Sequence, residues 1–264
     1  MDILPLSISL PGDSRLRESL ATLDQVIYRI IEQRRLDRED HGDLLSMLMH
    51  AQDEDGAMMS NEQLRDEVMT LFLAGHETTA NTLSWTFYLL TQHPEAESKL
   101  MRELEQVLNG QAPSFRHFPQ LVYTQSIVKE AMRLYPPVWL ISREPLEDVQ
   151  LEQYVLPAGC EIALSQWVMH RHPDYFPEPR SFIPDRWTPE FEEALPAYVY
   201  FPFGAGPRMC IGNNFAMLEA TLLLAGVLQQ YRIVYDSAKP VAPEPSITLR
   251  PKPGVPVRVV RRRE

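Results

Sequence analysis

The chain has 264 residues, 44% of them hydrophobic, which is enough apolar material for one large domain or two small ones. A formal net charge of -11 excludes the concentrated positive face of a nucleic-acid binder, and the short Arg261-Arg262-Arg263 run reads as a solvated tail. With only two cysteines, Cys160 and Cys210, the composition fits a reducing, cytoplasmic setting and no disulfide scaffold.

No apolar run approaches the ~20 residues that a membrane helix needs, and the apolar opening 1–10 lacks a basic leader, so neither a membrane segment nor a signal is expected. Pro11-Gly12 marks a turn. Leu16, Leu20, Leu23, Ile27, Ile30 and Ile31 then recur at helical spacing and predict an amphipathic helix ending in the charged stretch 34–40. A shorter helix is predicted over 44–50 and a polar loop over 52–56. Ser60-Asn61-Glu62-Gln63 has the form of a capping box, so a long helix should begin there and run to His93-Pro94, ~45 Å at 1.5 Å per residue. Further helices are predicted over 95–108, closed by Asn109-Gly110, and over 123–134, stopped by Pro136-Pro137.

The 23 prolines cluster after residue 136, where the pattern changes. Short strands are predicted over 138–143, 149–155 and 161–164, the last two separated by the Pro157-Ala158-Gly159 turn, followed by a loop-rich stretch over 170–209. A helix over 213–231 and alternating strands over 232–259 complete the chain. The expected fold class is mainly α with a small β component. The expected organisation is one domain over 1–264: helical over 13–135, mixed sheet and loops over 136–202, a glycine-rich loop over 203–212, and a final helix with strands over 213–264.

The densest chemical signal is Phe203-Gly204-Ala205-Gly206-Pro207-Arg208-Met209-Cys210-Ile211-Gly212. Its glycines permit backbone angles and close approaches that a Cβ would block. Cys210 precedes a predicted helix whose first N–H groups and dipole favour a thiolate. An isolated cysteine of this kind is most often a buried, inert residue. A cysteine hydrolase would need a histidine base nearby, and none occurs between Asp174 and the carboxy terminus.

The segment resembles the haem-binding loop of the cytochrome P450 superfamily, whose Phe-x-x-Gly-x-Arg-x-Cys-x-Gly pattern is met at Phe203, Gly206, Arg208, Cys210 and Gly212. Three further segments match that family in order. Ala74-Gly75-His76-Glu77-Thr78-Thr79 is similar to its oxygen-binding groove; a glycine beside hydroxyl side chains that bond the preceding turn is expected to loosen the helix there. Glu130-Ala131-Met132-Arg133 is the family's Glu-x-x-Arg, an i,i+3 pair on one helix face, and Pro184-Asp185-Arg186-Trp187 resembles its Pro-Glu-Arg-Phe segment. Arg143, after Pro136-Pro137-Val138-Trp139-Leu140-Ile141-Ser142, occupies a position where the family often places a second propionate-binding arginine.

The resemblance implies a truncated cytochrome P450 fold, with the long central helix and the Cys210 helix on opposite haem faces. It implies haem b (iron protoporphyrin IX) with Cys210 as the thiolate metal ligand, Phe203 and Gly204 in the loop beside the sulfur, and Arg208 and Arg143 on the propionates. Ala74 would line the distal pocket, and Thr78 and Glu77 would deliver protons. Glu130, Arg133 and Arg186 would form a buried structural network. The implied activity is a haem-thiolate monooxygenase that inserts one oxygen atom of O2 into a small apolar substrate, with electrons from a reductase or ferredoxin. The opening helix resembles one from well inside the family pattern, so the alternative is a truncated, non-catalytic haem-binding fragment. His170 and His172 have no partners at zinc spacing, and Cys160, after a turn, reads as a small core residue.

Overall fold

The computed structural model describes residues 13–37 and 39–262; the apolar opening 1–10, the Pro11-Gly12 turn and Arg263 lie outside the described residues. The chain divides into two compact units, one up to Ala74 and one from Gly75 onward.

In the first unit α1 (Asp13–Asp37) buries Ile27 and Ile31, one turn apart, together with Leu64 and Met69. Leu16, Leu20 and Ile30 of the predicted apolar face remain exposed. α2 (Leu44–His50) is capped by Asp43, whose carboxylate accepts from Ser46 N at 2.9 Å and from both terminal nitrogens of Arg34 at 2.6 and 2.7 Å. The predicted capping box forms: Ser60 N donates to Gln63 Oε1 at 2.9 Å and Gln63 N to Ser60 Oγ at 3.1 Å, and α3 (Asn61–Gln92) starts there. α3 runs 32 residues until Pro94 ends it.

The second unit holds the larger core. α4 (Pro94–Leu108) buries Leu100, Leu104 and Leu108 at four-residue spacing, and α5 (Val122–Leu134) buries Ile127, Val128, Ala131 and Leu134. These pack with Ala220, Leu224, Ala225 and Leu228 of α8 (Asn213–Gln230). Each such leucine contributes ~1.5–3 kcal/mol relative to leaving it in water.

The β component, among the described residues, is four two-stranded antiparallel sheets. β1 (Ile141–Arg143) pairs with β4 (Ile162–Leu164), and β2 (Val149–Leu151) with β3 (Tyr154–Leu156). β5 (Tyr231–Tyr235) pairs with β8 (Val257–Arg261), and β6 (Ala242–Pro245) with β7 (Leu249–Lys252). The stretch predicted as one strand over 149–155 is therefore a hairpin. Its two-residue turn begins at Glu152, whose φ is 51°, a left-handed angle that Gly, Asn or Asp would have signalled and glutamate does not.

Among the described residues two short α-helices were not predicted. α6 (Gln166–Met169) is capped by Ser165, and α7 (Pro189–Ala194), inside the stretch read as loop, is capped by Thr188 with proline at its first position. Within the arginine run, Arg261 is exposed and pairs with Tyr231 in the sheet, whereas Arg262 is not solvated: it donates to Leu228 O at 2.8 Å and to Glu97 Oε1 at 2.5 Å. Strand pairing brings the Arg262 guanidinium back to α8 and α4, where those acceptors lie. Among the described residues no helix is long and apolar enough to cross a membrane.

Candidate functional site

The cysteine loop is closed by its own backbone. Cys210 N donates to Phe203 O at 2.9 Å, Gly204 N to Phe201 O at 3.0 Å, and Met209 N to Gly206 O at 3.0 Å. Gly204 and Gly206 take φ of 71° and 67°, which L side chains reach only at a cost of ~1–2 kcal/mol each. Phe203 turns its ring into the core beside α8, while Arg208, Met209, Cys210 and Ile211 are exposed. α8 begins two residues after Ile211 with Gly212 as its cap, which has no side chain to satisfy the first N–H groups. A Cβ built on Gly212 would lie 3.8 Å from Cys210 Sγ, so the sulfur sits against the open end of that helix. Both cysteines are free thiols, and Cys160 is half-buried after its turn.

α3 is helical without a break through Ala74–Thr79, where loosening was expected. Thr82 Oγ1 donates to Thr78 O at 3.0 Å, bonding a hydroxyl to the preceding turn without interrupting the helix. Ala74 is exposed and Thr78 half-buried. Glu77 is held from the far end of the chain: its Oε1 accepts from Thr248 Oγ1 at 2.7 Å and from Arg250 Nε at 2.5 Å. Those two donors, together with the nearby His76, hold its carboxyl below the usual glutamate range. No sequence signal tied Thr248 and Arg250 to Glu77, because their separations of 171 and 173 residues lie beyond any local pattern.

Glu130 and Arg133 are both fully buried on α5. Glu130 Oε1 accepts from Arg133 Nη2 at 2.8 Å, Ile183 N at 2.9 Å and Arg186 Nε at 3.0 Å, and Oε2 from Arg133 Nε at 2.8 Å and Trp187 Nε1 at 2.9 Å. Arg133 spends its remaining donors on the carbonyls of His170, Pro179 and Ser181 at 2.8–2.9 Å. The structure thus brings Glu130, Arg133 and Arg186 together and adds Trp187, whose indole N–H is a donor that the phenylalanine of the resembled pattern lacks. Asp185 faces away from them and pairs with Lys99.

His170 is buried and its Nε2 accepts from Phe201 N at 2.9 Å, so the ring is neutral with its hydrogen on Nδ1. Burial first, then Arg133 and Arg171, pushes its pKa down to about 3. Arg171 stacks on the Trp167 ring at 3.4 Å, and burial brings its pKa down to about 10. Arg143 is exposed on β1, with Nη1 donating to Ser142 O at 2.8 Å.

The fold is mainly α with a small sheet component, carries an exposed thiol just before its last helix, α8, and joins Glu130, Arg133 and Arg186 in one ion-pair cluster. Residues 1–257 match the family Cytochrome P450, and the chain belongs to that family. It is 42% identical over 93% of its length to "Cyclooctatin synthase" of Streptomyces melanosporofaciens, covering 54% of that protein. It is 39% identical over 88% of its length to "Pentalenene oxygenase" of Streptomyces avermitilis, covering 52%. Among solved structures, a cyanobacterial CYP120A1 with retinoic acid bound superposes with a TM-score of 0.90 at 27% identity, covering 98% of this chain and 60% of that one. The chain spans about half the length of the curated relatives it matches.

Membership implies a haem, and the residues present fit one. The sulfur is a soft donor standing exposed beside an uncapped helix start. Near it in sequence, Met209, Ile211 and Phe215 are 50%, 89% and 68% exposed, apolar side chains of the kind a flat hydrophobic ligand would cover.

Proposed function

We propose that the chain carries the haem-binding and proton-delivery parts of a monooxygenase that inserts one oxygen atom of O2 into a small apolar substrate, with electrons from a reductase or ferredoxin. The observation that supports it is the exposed Cys210 thiol, held by the Cys210 N to Phe203 O bond at the uncapped start of α8. Haem b, when bound, supplies the redox centre at which O2 is reduced.

The chain's own residues have separable tasks. Cys210 would give the sulfur ligand to the haem iron. Arg208 and Arg143 offer planar guanidinium forks to the two propionates. Phe203, anchored in the core, stiffens the loop so that the sulfur is held rather than mobile. Glu77 holds a proton-accepting carboxylate one residue from the Thr78 hydroxyl, and the pair moves protons from solvent toward the distal side, where Ala74 is an apolar wall. The buried Glu130 cluster locks 179–187 behind α5.

The relatives named for pentalenene and for cyclooctat-9-en-7-ol point to an alkene-bearing hydrocarbon or its mono-alcohol as the substrate class. The test is the reduced, carbon monoxide-bound spectrum of the purified chain supplied with haem. A Soret band at the red position of thiolate ligation, abolished in Cys210→Ala, is the expected result. An unchanged spectrum in Cys210→Ala overturns the ligand assignment, and failure to take up haem overturns both the monooxygenase reading and the haem-binding fragment.

A further inference from the structure

Glu77 is on α3, but what surrounds its carboxylate comes from the β6–β7 hairpin. Thr248 ends the turn between β6 and β7 and Arg250 is the second residue of β7, with Leu249 buried between them. Both reach Glu77 Oε1. The segment carrying them is bolted at its backbone: Leu249 O accepts from Trp85 Nε1 at 3.0 Å, Leu249 N donates to Pro137 O at 2.9 Å, and Ser246 O accepts from Trp139 Nε1 at 2.8 Å. Trp85 lies two turns beyond Glu77 on the same helix, so α3 fixes both the acid and the strand that grips it.

The direction of these bonds follows from donor and acceptor inventory. A carboxylate only accepts, so the single Thr248 hydroxyl hydrogen goes to Glu77, and Asn81 must present its amide nitrogen to Thr248 Oγ1, as it does at 3.0 Å. Thr248 and Asn81 are buried at 5% and 8% exposure, which keeps water from competing for that hydroxyl. The titratable and charged groups acting on Glu77 are Arg250 across from it and His76 beside it, and the other hairpin charges, Glu244 and Lys252, pair with each other.

We propose that Thr248 and Arg250, with Asn81 behind Thr248, are positioning residues that fix the Glu77 carboxylate in one orientation, so that the β6–β7 hairpin tunes proton delivery by that acid. The inference rests on the reading of Glu77 as that carrier. Arg250 neutralises the charge without taking the proton, and Thr248 occupies one lone pair of Oε1, which leaves Oε2 as the oxygen that exchanges protons.

The experiment is a 13C NMR titration of labelled glutamate carboxyls in the diamagnetic ferrous, carbon monoxide-bound protein, with Glu77→Gln identifying the resonance. In Arg250→Gln and Thr248→Val the Glu77 pKa is expected to rise, and in Arg250→Lys to return toward the parent. The acid limb of the kcat pH profile should move up with it while KM stays put. Arg250 is half-exposed, so its replacement spares the fold even if Thr248→Val does not. Unchanged titration in Arg250→Gln, with Glu77→Gln impaired in turnover, overturns the inference alone. Glu77→Gln turning over like the parent overturns the proton-carrier reading and the inference together.

Discussion

Replacing Glu130 by alanine leaves Arg133, fully buried, with a charge and no counter-ion. The lost groups can be counted from the geometry: Arg133 loses two bonds, and Ile183 N, Arg186 Nε and Trp187 Nε1 lose one each. Breaking a buried ion pair from one side costs about 3–5 kcal/mol, because the remaining charge keeps its desolvation penalty. Each stranded neutral donor adds about 1–3 kcal/mol where water cannot reach it. Against a total stability of ~5–15 kcal/mol, Glu130→Ala should unfold at far lower urea or not accumulate folded at all. The assay is urea unfolding with linear extrapolation, read beside Arg133→Met and the double variant Glu130→Ala/Arg133→Met. The double variant should recover part of the loss, since the stranded Arg133 charge is gone, although Arg186 still loses its carboxylate partner. A Glu130→Ala loss below about 1 kcal/mol at unchanged m, or strictly additive single losses, would refute the reasoning.

Three other outcomes follow. His170 has a folded pKa depressed to about 3 against an ordinary 6.5, so below pH 6.5 the unfolded chain binds the extra proton. Stability is fully present above pH 6.5 and falls toward pH 3 with a slope of up to ~1.4 kcal/mol per pH unit; His170→Gln should remove that component from urea midpoints measured across pH. Trp187→Phe keeps the ring and deletes the indole donor to Glu130, and should cost about 1.5–3 kcal/mol in the same assay, although phenylalanine is the residue of the resembled motif. Gly204→Ala meets no atom closer than 3.9 Å but must adopt a φ of 71°, so it should cost about 1–2 kcal/mol and weaken haem retention, measured by thermal unfolding and by haem loss to apomyoglobin.

Helix starts and stops were legible because their causes are local. Ser60 and Gln63 close a box within one turn, Pro94 ends α3, and the spacing of Leu100, Leu104 and Leu108 places one face in the core. The same local logic was available at Thr188-Pro189, where α7 went unread, and was missing at Glu152, where a left-handed turn carries a residue that does not advertise it.

The amino-acid sequence by itself determined the family, the Cys210 loop and the grouping of Glu130 with Arg133, since each is written in residues within ten positions of one another. Only the tertiary structure decided that Trp187 donates to Glu130, that Arg262 is tied to Glu97, and that Thr248 and Arg250 close on Glu77. Those contacts join segments up to 173 residues apart, and a hydrogen bond between such segments depends on how strands and helices pack, which no short-range periodicity encodes.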